Sequence, residues 1–453
     1  AENDFELLDG EGDFSDQEER LFQRRVDALI EIERRGGFLN LVEFWRAIES
    51  PSVAGIAAAA ALGPSYDERI LPQFLENGEE KDELFARGFV HARFYRQGWQ
   101  WADGFNFSTW SNDSKAAFYA VLPFIDDVWT RVSKMLDGAE GAYWERSRHL
   151  PPKGKTTNID YALDRLIEHG RPDAALYCLW SLSRDGQPLP QLALRALEAH
   201  SSAHQIHAHA VREIFKSLQA NPDVDEELLA RMEVKFLRVL DRFGGAKPFT
   251  LHCHLAERPE FFCYVIRLIY RSKNEVADDD DGEIVEYQPQ PEGPDAAIAG
   301  NAYRLLMEWD RPPGRTREGG FNVDSLKEWV DTVRRDTVAS GHWDMASHQI
   351  GEVLLYAPKD ENGLWIDPVC ELLNSRQDPE YRRGLSIRIY NSRGVYGFSG
   401  GKAEIEIAEN WERIAAHAEA KGYGRLGTTL RDLGQSYRDD AKRMVAERRH
   451  DFD

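Results

Sequence analysis

The sequence predicts an all-α protein whose helices form an irregular helical-repeat, α-solenoid-like architecture in two lobes. Apolar residues recur at helical spacing in stretches of roughly ten to twenty residues, and short breakers containing Gly or Pro separate these stretches. Alternation of apolar and polar residues with the period of a β-strand is nearly absent. The 453 residues, 42% of them hydrophobic, exceed what one compact core usually organises. Helix after helix joined by short turns is typical of stacked helical hairpins, and a single globular helical domain is the alternative.

The first lobe is predicted over residues 20–272, behind an acidic tail or linker at residues 1–19. Its first helix should start near Ser15 and end at Gly36-Gly37. The breakers that follow have no fixed period, so we predict irregular repeats. These breakers are Ser50-Pro51, Gly63-Pro64, Asn77-Gly78, Asp137-Gly138, Pro151-Pro152, Gly170-Arg171-Pro172, Asp185-Gly186-Gln187-Pro188, Asn221-Pro222 and Gly244-Gly245.

Residues 273–296 interrupt the helical pattern and are predicted to be a linker or insert between the lobes. A run of aspartates precedes a segment of alternating prolines there, and both features favour exposed, extended chain. The second lobe then covers residues 297–453, and its last two helices should meet near Gly422. A further helix is predicted over residues 321–340, with four residues at core spacing: Leu326, Trp329, Val330 and Val333.

The charge of the chain disfavours two classes of partner. Lys and Arg number 56 against 78 Asp and Glu, which gives a formal net charge of -22. Such a field repels nucleic-acid backbones and anionic membrane surfaces, although a local basic patch could still bind a nucleic acid. A nucleic-acid sensor subunit is therefore kept only as an alternative, and no membrane partner is expected.

Cysteine usage favours a reducing compartment. The four cysteines form no CxxC pair, and their wide spacing predicts neither a disulfide framework nor a structural zinc site. We therefore expect a cytoplasmic protein, and no apolar run approaches the length of a membrane span. The chain begins at Ala1 without an initiator Met, which suggests a piece of something longer.

The densest aromatic stretch lies between Tyr95 and Trp110. Aromatic side chains dominate the energetics of protein interfaces, so Trp99, Trp101 and Trp110 are candidate residues for binding a protein partner. Packing between helices is the alternative explanation of the same residues. Substituting Trp99 and Trp110 by Ala should then weaken partner capture without unfolding the chain.

A second candidate binding segment surrounds Asn391 and Arg393. It reads as non-helical, and several glycines follow it closely. A glycine-rich loop that carries an arginine can bind an anion. A plain turn whose polar side chains satisfy exposed backbone groups is the alternative.

Two groups of histidines raise the question of a metal. His200 and His204 are spaced by one helical turn, and two imidazoles in that arrangement can share a metal ion. His252 and His254 would diverge on a helix and could share an ion only in a loop. Because neither group brings a local carboxylate, surface or interface histidines are favoured, and a metal-dependent hydrolase is the rival hypothesis.

Several C-terminal segments carry a resemblance to a known class of protein. They are Asp360 to Asp367, Tyr390 to Val395, and the closing run from Tyr423 to Leu433 with Ser436, Tyr437 and Arg438. These segments resemble the C-terminal region of very large bacterial proteins related to the STAND NTPases used in antiphage defence, and the likeness covers residues 240–445. The resemblance implies a helical-repeat region that senses a trigger or scaffolds an assembly. It also implies an NTPase or effector portion upstream, since this sequence lacks a P-loop.

Together these observations predict a non-catalytic recognition or scaffolding component that binds a protein partner in a bacterial antiphage defence assembly. No catalytic constellation stands out along the chain, and no cofactor is implied. The expected partner is another protein, or the upstream NTPase or effector portion of a larger chain.

Overall fold

Helices form nearly all the regular structure of this chain. The computed structural model describes residues 14–76, 78–147, 156–201, 203–204, 207–240, 245–275, 294–392 and 401–450. Helices account for 73% of the chain, and the described residues contain no β-strand. Two isolated antiparallel bridges, Arg315 to Phe321 and Lys359 to Trp365, each close a loop. The predicted all-α class is confirmed.

The chain divides into two compact units, Ala1–Val224 and Asp225–Asp453. The first unit contains α1 (Phe14–Ala47), α2 (Pro51–Ala61), α3 (Asp67–Ile70), α4 (Glu80–Ala102), α5 (Asn112–Val121), α6 (Asp126–Leu136), α7 (Gly141–Arg146), α8 (Ile159–Glu168), α9 (Pro172–Arg184), α10 (Pro190–Ala199) and α11 (Ala208–Gln219). The second contains α12 (Glu226–Lys235), α13 (Phe249–Glu257), α14 (Pro259–Ile269), α15 (Pro294–Glu308), α16 (Val323–Ala339), α17 (Trp343–Leu354), α18 (Asp367–Leu373), α19 (Glu380–Ser392), α20 (Lys402–Ala420) and α21 (Gly424–His450). None of the helices within the described residues is long and apolar enough to cross a membrane.

The division between the units differs from the lobe boundary that the sequence predicts. The predicted linker, residues 273–296, lies inside the second unit, and most of it falls outside the described residues. Helices α13 and α14, on its N-terminal side, share one apolar core with α15 to α21. Phe262 of α14, for example, packs its ring against Trp309 and Trp329 from beyond the segment. The composition of residues 273–296 differs from that of the flanking helices. The boundary between the two hydrophobic cores, however, lies before α12.

Glycines in a conformation that other residues rarely adopt bend two helices of the first unit. Gly37 has φ 63° and ψ -155°, and Gly98 has φ 62° and ψ -150°. Side chains with a Cβ are strained there, so glycine is needed. The sequence correctly places a break at Gly36-Gly37, but helical structure resumes at once and α1 continues to Ala47. Gly98 likewise separates the long part of α4 from its last turn.

Helices α8 to α11 form two stacked helical hairpins. Helix α9 packs against its neighbour α8 and also against α10 and α11, while α8 packs against α10. This is the arrangement by which α-solenoids bury the apolar face of each hairpin. The predicted solenoid-like architecture stays a prediction for the chain as a whole.

The second unit confirms the helices predicted for the end of the chain. Helix α16 covers most of residues 321–340, and its four predicted core residues are all buried. Helices α20 and α21 meet around Gly422, as the sequence indicates. The N-terminus of α21 is held by the side chain of Asn374, whose Oδ1 accepts from the backbone N–H groups of Arg425 and Leu426.

A helix pair with the same close contact occurs once in each unit. In the first unit, a Cβ on Gly55 of α2 would lie 2.1 Å from the carbonyl oxygen of Phe85, and one on Gly88 of α4 would lie 2.1 Å from that of Ser52. In the second unit, Gly351 of α17 faces the carbonyl oxygen of Tyr381 at 2.0 Å, and Gly384 of α19 faces that of His348 at 1.9 Å. Each of the four residues in the first pair has a counterpart in the second pair, and the sequence separation is the same for all four. The counterparts are Ser52 and His348, Gly55 and Gly351, Phe85 and Tyr381, and Gly88 and Gly384. The backbones of both pairs therefore approach to a distance that only glycine permits. The eight residues involved are Ser52, Gly55, Phe85, Gly88, His348, Gly351, Tyr381 and Gly384.

We predict that Gly88→Ala lowers the free energy of unfolding by about 1–3 kcal/mol, because the added methyl group must push α2 away from α4. Denaturant titration followed by circular dichroism measures this loss. Gly63→Ala is the matched control, since nothing lies within 4 Å of a Cβ at that position. Its effect should stay within about 0.5 kcal/mol. Equal losses for the two variants would contradict the proposed close packing.

Candidate partner-binding surfaces

A buried aspartate fixes the second helix of each duplicated pair. Asp82, in the first turn of α4, accepts a 2.7 Å hydrogen bond from Trp45 Nε1 and also accepts from the guanidinium of Arg46. Asp378, just before α19, accepts a 2.8 Å hydrogen bond from Trp343 Nε1 and one of 3.0 Å from Arg334. A buried carboxylate must be paired and hydrogen-bonded, and here the same two donor types meet that requirement twice.

An aromatic ring one turn after the aspartate completes each anchor. Phe85 stacks on Trp45 with ring centroids 3.9 Å apart, and Tyr381 meets Trp343 edge-on at 5.9 Å. The buried face of the helix is thus fixed by the aspartate, the ring and the following glycine. We refer to the opposite faces of α4 and α19 as the exposed stripes.

The α4 stripe consists of Arg87, His91 and Tyr95, which follow one another at intervals of one helical turn. All three are exposed, and 86% of the Tyr95 surface is open to solvent. An exposed tyrosine at this level is unusual in a region with so much aromatic packing. The stripe therefore presents a large amphipathic side chain that the fold itself does not use for its core.

The α19 stripe consists of Arg383, Ile387 and Asn391, which correspond to the three residues of the α4 stripe, together with the neighbouring Tyr390. Ile387 is 46% exposed and Tyr390 is 49% exposed. The Tyr390 ring stacks on Tyr437 at 5.9 Å, and its hydroxyl donates to Asp440 at 3.3 Å. These contacts orient the ring while half of it stays open to solvent, so the stripe is partly preorganised.

The sequence prediction for Trp101 and Trp110 as partner-binding residues is corrected by their burial. Trp101 is 8% exposed, and its Nε1 donates a 2.8 Å hydrogen bond to Asp67. Trp110 is 9% exposed and packs against Phe105, Phe107 and Phe118. Both indoles belong to an aromatic core. The alternative explanation, helix packing, is the one that holds for these two residues.

Trp99 is intermediate in burial between the core tryptophans and an exposed side chain. It is half-buried, its ring meets Phe94 edge-on at 4.9 Å, and the Arg131 guanidinium lies 3.6 Å from its ring centroid. Arg131 is itself held by Asp103 at 3.0 Å. The indole can thus contribute one face to a binding surface, but its other contacts stabilise the end of α4.

Asn391 lies on the second candidate segment, and the structure changes how that segment is understood. The residue is exposed in the last turn of α19, so it belongs to a helix and not to the predicted non-helical loop. Residues 393–400, which include Arg393 and the glycines directly after it, lie outside the described residues. Asn391 therefore takes its place on the exposed stripe of α19.

The structure places His200 and His204 outside any helix, which corrects the prediction that they share a helix face. Helix α10 ends at Ala199 and α11 begins at Ala208, so both residues lie in the connection. Their rings are 5.3 Å apart, and His204 Nδ1 accepts a 2.9 Å hydrogen bond from the Ser201 backbone N–H. His200 is buried at the end of α10. The spacing of one helical turn therefore does not reflect a helix here. The Ser201 to His204 hydrogen bond instead stabilises the connection between α10 and α11.

His252 and His254 both lie on α13, and they diverge as helical geometry requires. His252 Nδ1 lies 3.3 Å from Asp310, while His254 Nε2 lies 2.9 Å from Glu226. Burial lowers the pKa of His252, which favours the neutral imidazole. Each histidine thus contacts a different carboxylate, and the two imidazoles do not converge on one point.

No group of three or more His, Cys, Asp or Glu side chains suitable for a metal ion occurs among the described residues. The four cysteines, Cys178, Cys253, Cys263 and Cys370, are all buried. Burial raises the pKa of the Cys253 thiol to about 11 and that of Cys178 to about 12. These thiols are therefore protonated near neutral pH and poorly suited to nucleophilic chemistry.

Sequence inspection missed the duplicated pair, although a signal for it exists. Both copies contain an aspartate, an aromatic residue three positions later and a glycine after three more: Asp82, Phe85 and Gly88, then Asp378, Tyr381 and Gly384. A comparison of the chain with itself at one fixed offset would have found this pattern. Without it, Arg87, Ile387 and Tyr390 had nothing to distinguish them from other surface residues.

No known protein family matches the chain, and no curated protein matches it in sequence. The resemblance of the C-terminal segments to STAND-type defence proteins therefore stays a prediction. Among those segments, residues 360–364 lie in the loop closed by the Lys359 to Trp365 bridge, and the segment then continues to Asp367, the first residue of α18.

We predict that Trp110→Ala lowers the free energy of unfolding by about 3–5 kcal/mol, because it leaves a cavity in the aromatic core. Trp99→Ala should cost only about 1 kcal/mol, since the indole is half-buried and loses mainly its contact with Arg131. Urea titration of both variants measures the difference. A Trp110→Ala variant as stable as Trp99→Ala would show that the cluster is not a core.

A second prediction concerns Glu226. The Arg317 guanidinium has the largest effect and stabilises the carboxylate, burial opposes this, and His254 adds a smaller stabilising contact. These contacts lower the pKa of Glu226 from 4.5 to about 2. The stabilisation is fully present above pH 4.5 and is lost as the pH falls towards 2. The stability difference between the wild type and Glu226→Gln should therefore shrink over that interval in denaturant titrations. An Arg317→Gln variant should show a weaker acid dependence than the wild type, and parallel pH curves would contradict the assignment.

Proposed function

We propose that this chain is a non-catalytic recognition or scaffolding component that binds a protein partner through the exposed stripes of α4 and α19. One observation carries the proposal: the same rigidly anchored helix pair occurs in both units, and each copy presents an arginine followed by a large exposed side chain. The exposed side chains are Tyr95 in the first copy and Ile387 with Tyr390 in the second.

The side chains on the stripes are of the kinds that anchor protein interfaces. Tyr and Arg are enriched among the residues that contribute most to binding, because they bury a large area and still satisfy polar groups. A tyrosine also loses little conformational entropy on binding, since it has only two side-chain torsions. Both features favour recognition of a protein surface.

The shape of the stripes favours a macromolecular partner over a small molecule. Small-molecule sites are concave and enclose most of the ligand, whereas each stripe is the convex outer face of a helix. The buried aspartate and the close glycine contact hold that helix in place before binding. Preorganisation of this kind reduces the entropic cost of association.

The charge balance narrows the class of partner. Arg87 and Arg383 project from a chain whose net charge is -22, so nucleic acid is disfavoured over the surface as a whole. A protein that offers a carboxylate to the arginine and an apolar patch to the exposed tyrosine fits either stripe taken by itself. On the resemblance of the C-terminal segments alone, we place this partner in a bacterial defence assembly, as an NTPase or effector portion.

The proposal predicts that Tyr95→Ala combined with Ile387→Asp and Tyr390→Ala reduces partner capture at least about tenfold, because the main anchors of both stripes are removed. A tagged chain and the triple variant are each used to capture proteins from the native host. The captured partner is then expressed separately, and its affinity for both proteins is measured by calorimetry.

The matched control combines Leu39→Ala with Val338→Ala, two exposed apolar side chains that lie off the stripes. They are 74% and 55% exposed, so the control also removes exposed apolar area, but from outside the stripes. It should retain full affinity. A correctly folded triple variant that binds the partner as tightly as the wild type would refute the proposal.

A further inference from the structure

A small cleft lies in the first unit where α4, α5 and α7 meet. Its volume is about 100 Å³, and its lining consists of two arginines and three small apolar residues. The arginines are Arg87 of α4 and Arg146 of α7, and the apolar residues are Ala117, Ala120 and Val121 of α5.

Small side chains on one face of α5 create this cleft. Ala117, Ala120 and Val121 are spaced to share a face of the helix, and each is less than 9% exposed. Larger residues there would fill the space. The floor is therefore apolar and fixed by the core, while the positive charge lies at the rim.

Neither arginine is held tightly by its acidic neighbour. Arg87 lies 3.6 Å from Glu83, and Arg146 lies 3.6 Å from Asp113, with a further 3.4 Å hydrogen bond to the Asp113 carbonyl. In contrast, Arg131 contacts Asp103 at 3.0 Å through two nitrogens. A distance of 3.6 Å exceeds that of a hydrogen bond, so the guanidinium groups at the cleft retain capacity to bind an anion.

Arg87 has a counterpart in the second copy of the helix pair. Counting from the aspartate of each copy, the identical residues include Asp82 and Asp378, Arg87 and Arg383, and Gly88 and Gly384. The aspartate and the glycine have structural roles in both copies. The arginine is exposed in both copies.

We propose that the Arg87–Arg146 cleft binds a phosphomonoester group. Two guanidinium groups at one rim match the charge of about -1.5 to -2 that a phosphomonoester carries at neutral pH. Arginine also binds phosphate oxygens through paired N–H donors. The volume corresponds to about three water molecules, so a single phosphate group fits it and a polymer backbone does not.

The apolar floor indicates what carries the phosphate. Ala117, Ala120 and Val121 favour an aliphatic or aromatic stem over a bare inorganic ion. Such a ligand could be a phosphorylated side chain of a protein partner or a free phosphorylated metabolite. This inference goes beyond the proposed partner binding and shares only Arg87 with it, since the cleft is formed by Arg146 and the small residues of α5. A Tyr95, Ile387 and Tyr390 triple variant that still captures the partner, in a chain that binds phenyl phosphate, would refute the partner-binding proposal alone.

The test is calorimetric titration of the full chain with inorganic phosphate, phenyl phosphate and a short peptide that contains phosphotyrosine. We expect phenyl phosphate to bind more tightly than inorganic phosphate. Arg87→Gln combined with Arg146→Gln should weaken phenyl phosphate binding at least about tenfold, since two charge-assisted contacts are lost. A peptide that binds more tightly than phenyl phosphate indicates a protein source, and equal binding indicates a free metabolite.

The matched control is Arg195→Gln, which removes an arginine that pairs with Asp164 on the same unit and does not line the cleft. It should bind phenyl phosphate as the wild type does. Ala117→Phe gives a second route, since it fills the cleft from below and leaves both arginines in place. The proposal is overturned if the folded double variant binds phenyl phosphate like the wild type. It is also overturned if no phosphate compound binds, or if an oligonucleotide without terminal phosphate displaces the ligand.

Discussion

The structure depends on satisfying the backbone groups at the ends of many short helices. Each helix leaves unpaired N–H groups at its start and unpaired carbonyls at its end, and a buried unpaired group costs about 1–3 kcal/mol. Arginines from other helices serve several of the C-terminal carbonyls. Arg93 donates to Ala59, Leu62 and Gly63 at the end of α2, and Arg171 donates to Trp144, Glu145 and Ser147 at the end of α7. At the N-termini, carboxylates accept hydrogen bonds from the unpaired backbone N–H groups. Glu233 accepts from Thr250 and Leu251 of α13. Asp126 accepts from Thr157 and Asn158, just before α8.

These long-range contacts explain why so many charged residues are buried in an acidic chain. Arg93 is 6% exposed and its partner Asp67 is 7% exposed, yet both are fully engaged. Asp67 receives the Arg93 guanidinium and the Trp101 indole, so α2, α3 and α4 are joined at one point. The result is a helix pair whose position is set before any partner arrives.

The duplicated helix pair connects this rigidity to the proposed functions. In both units, the side chains that fix the helix lie on its buried face, and the residues available for binding lie on the other. In each copy a buried glycine, which fixes the helix, is directly preceded by an exposed arginine, which is available for binding. Arg87 belongs both to the α4 stripe and to the cleft proposed to bind phosphate.

The all-α class and many helix boundaries follow from local patterns, because the spacing of apolar residues and the positions of Gly and Pro act over a few residues. Periodicity alone, for example, identifies Leu326 and Trp329 as core residues. Three features depend on contacts between distant helices: the boundary between the cores, the burial of Trp101 and Trp110, and the separate carboxylate partners of His252 and His254. Each of these depends on which helices meet, which local patterns do not encode. The sequence does not distinguish an aromatic residue that faces solvent from one that packs against a distant helix. The fold alone shows that Trp101 and Trp110 are buried while Tyr95 and Tyr390 are exposed to solvent.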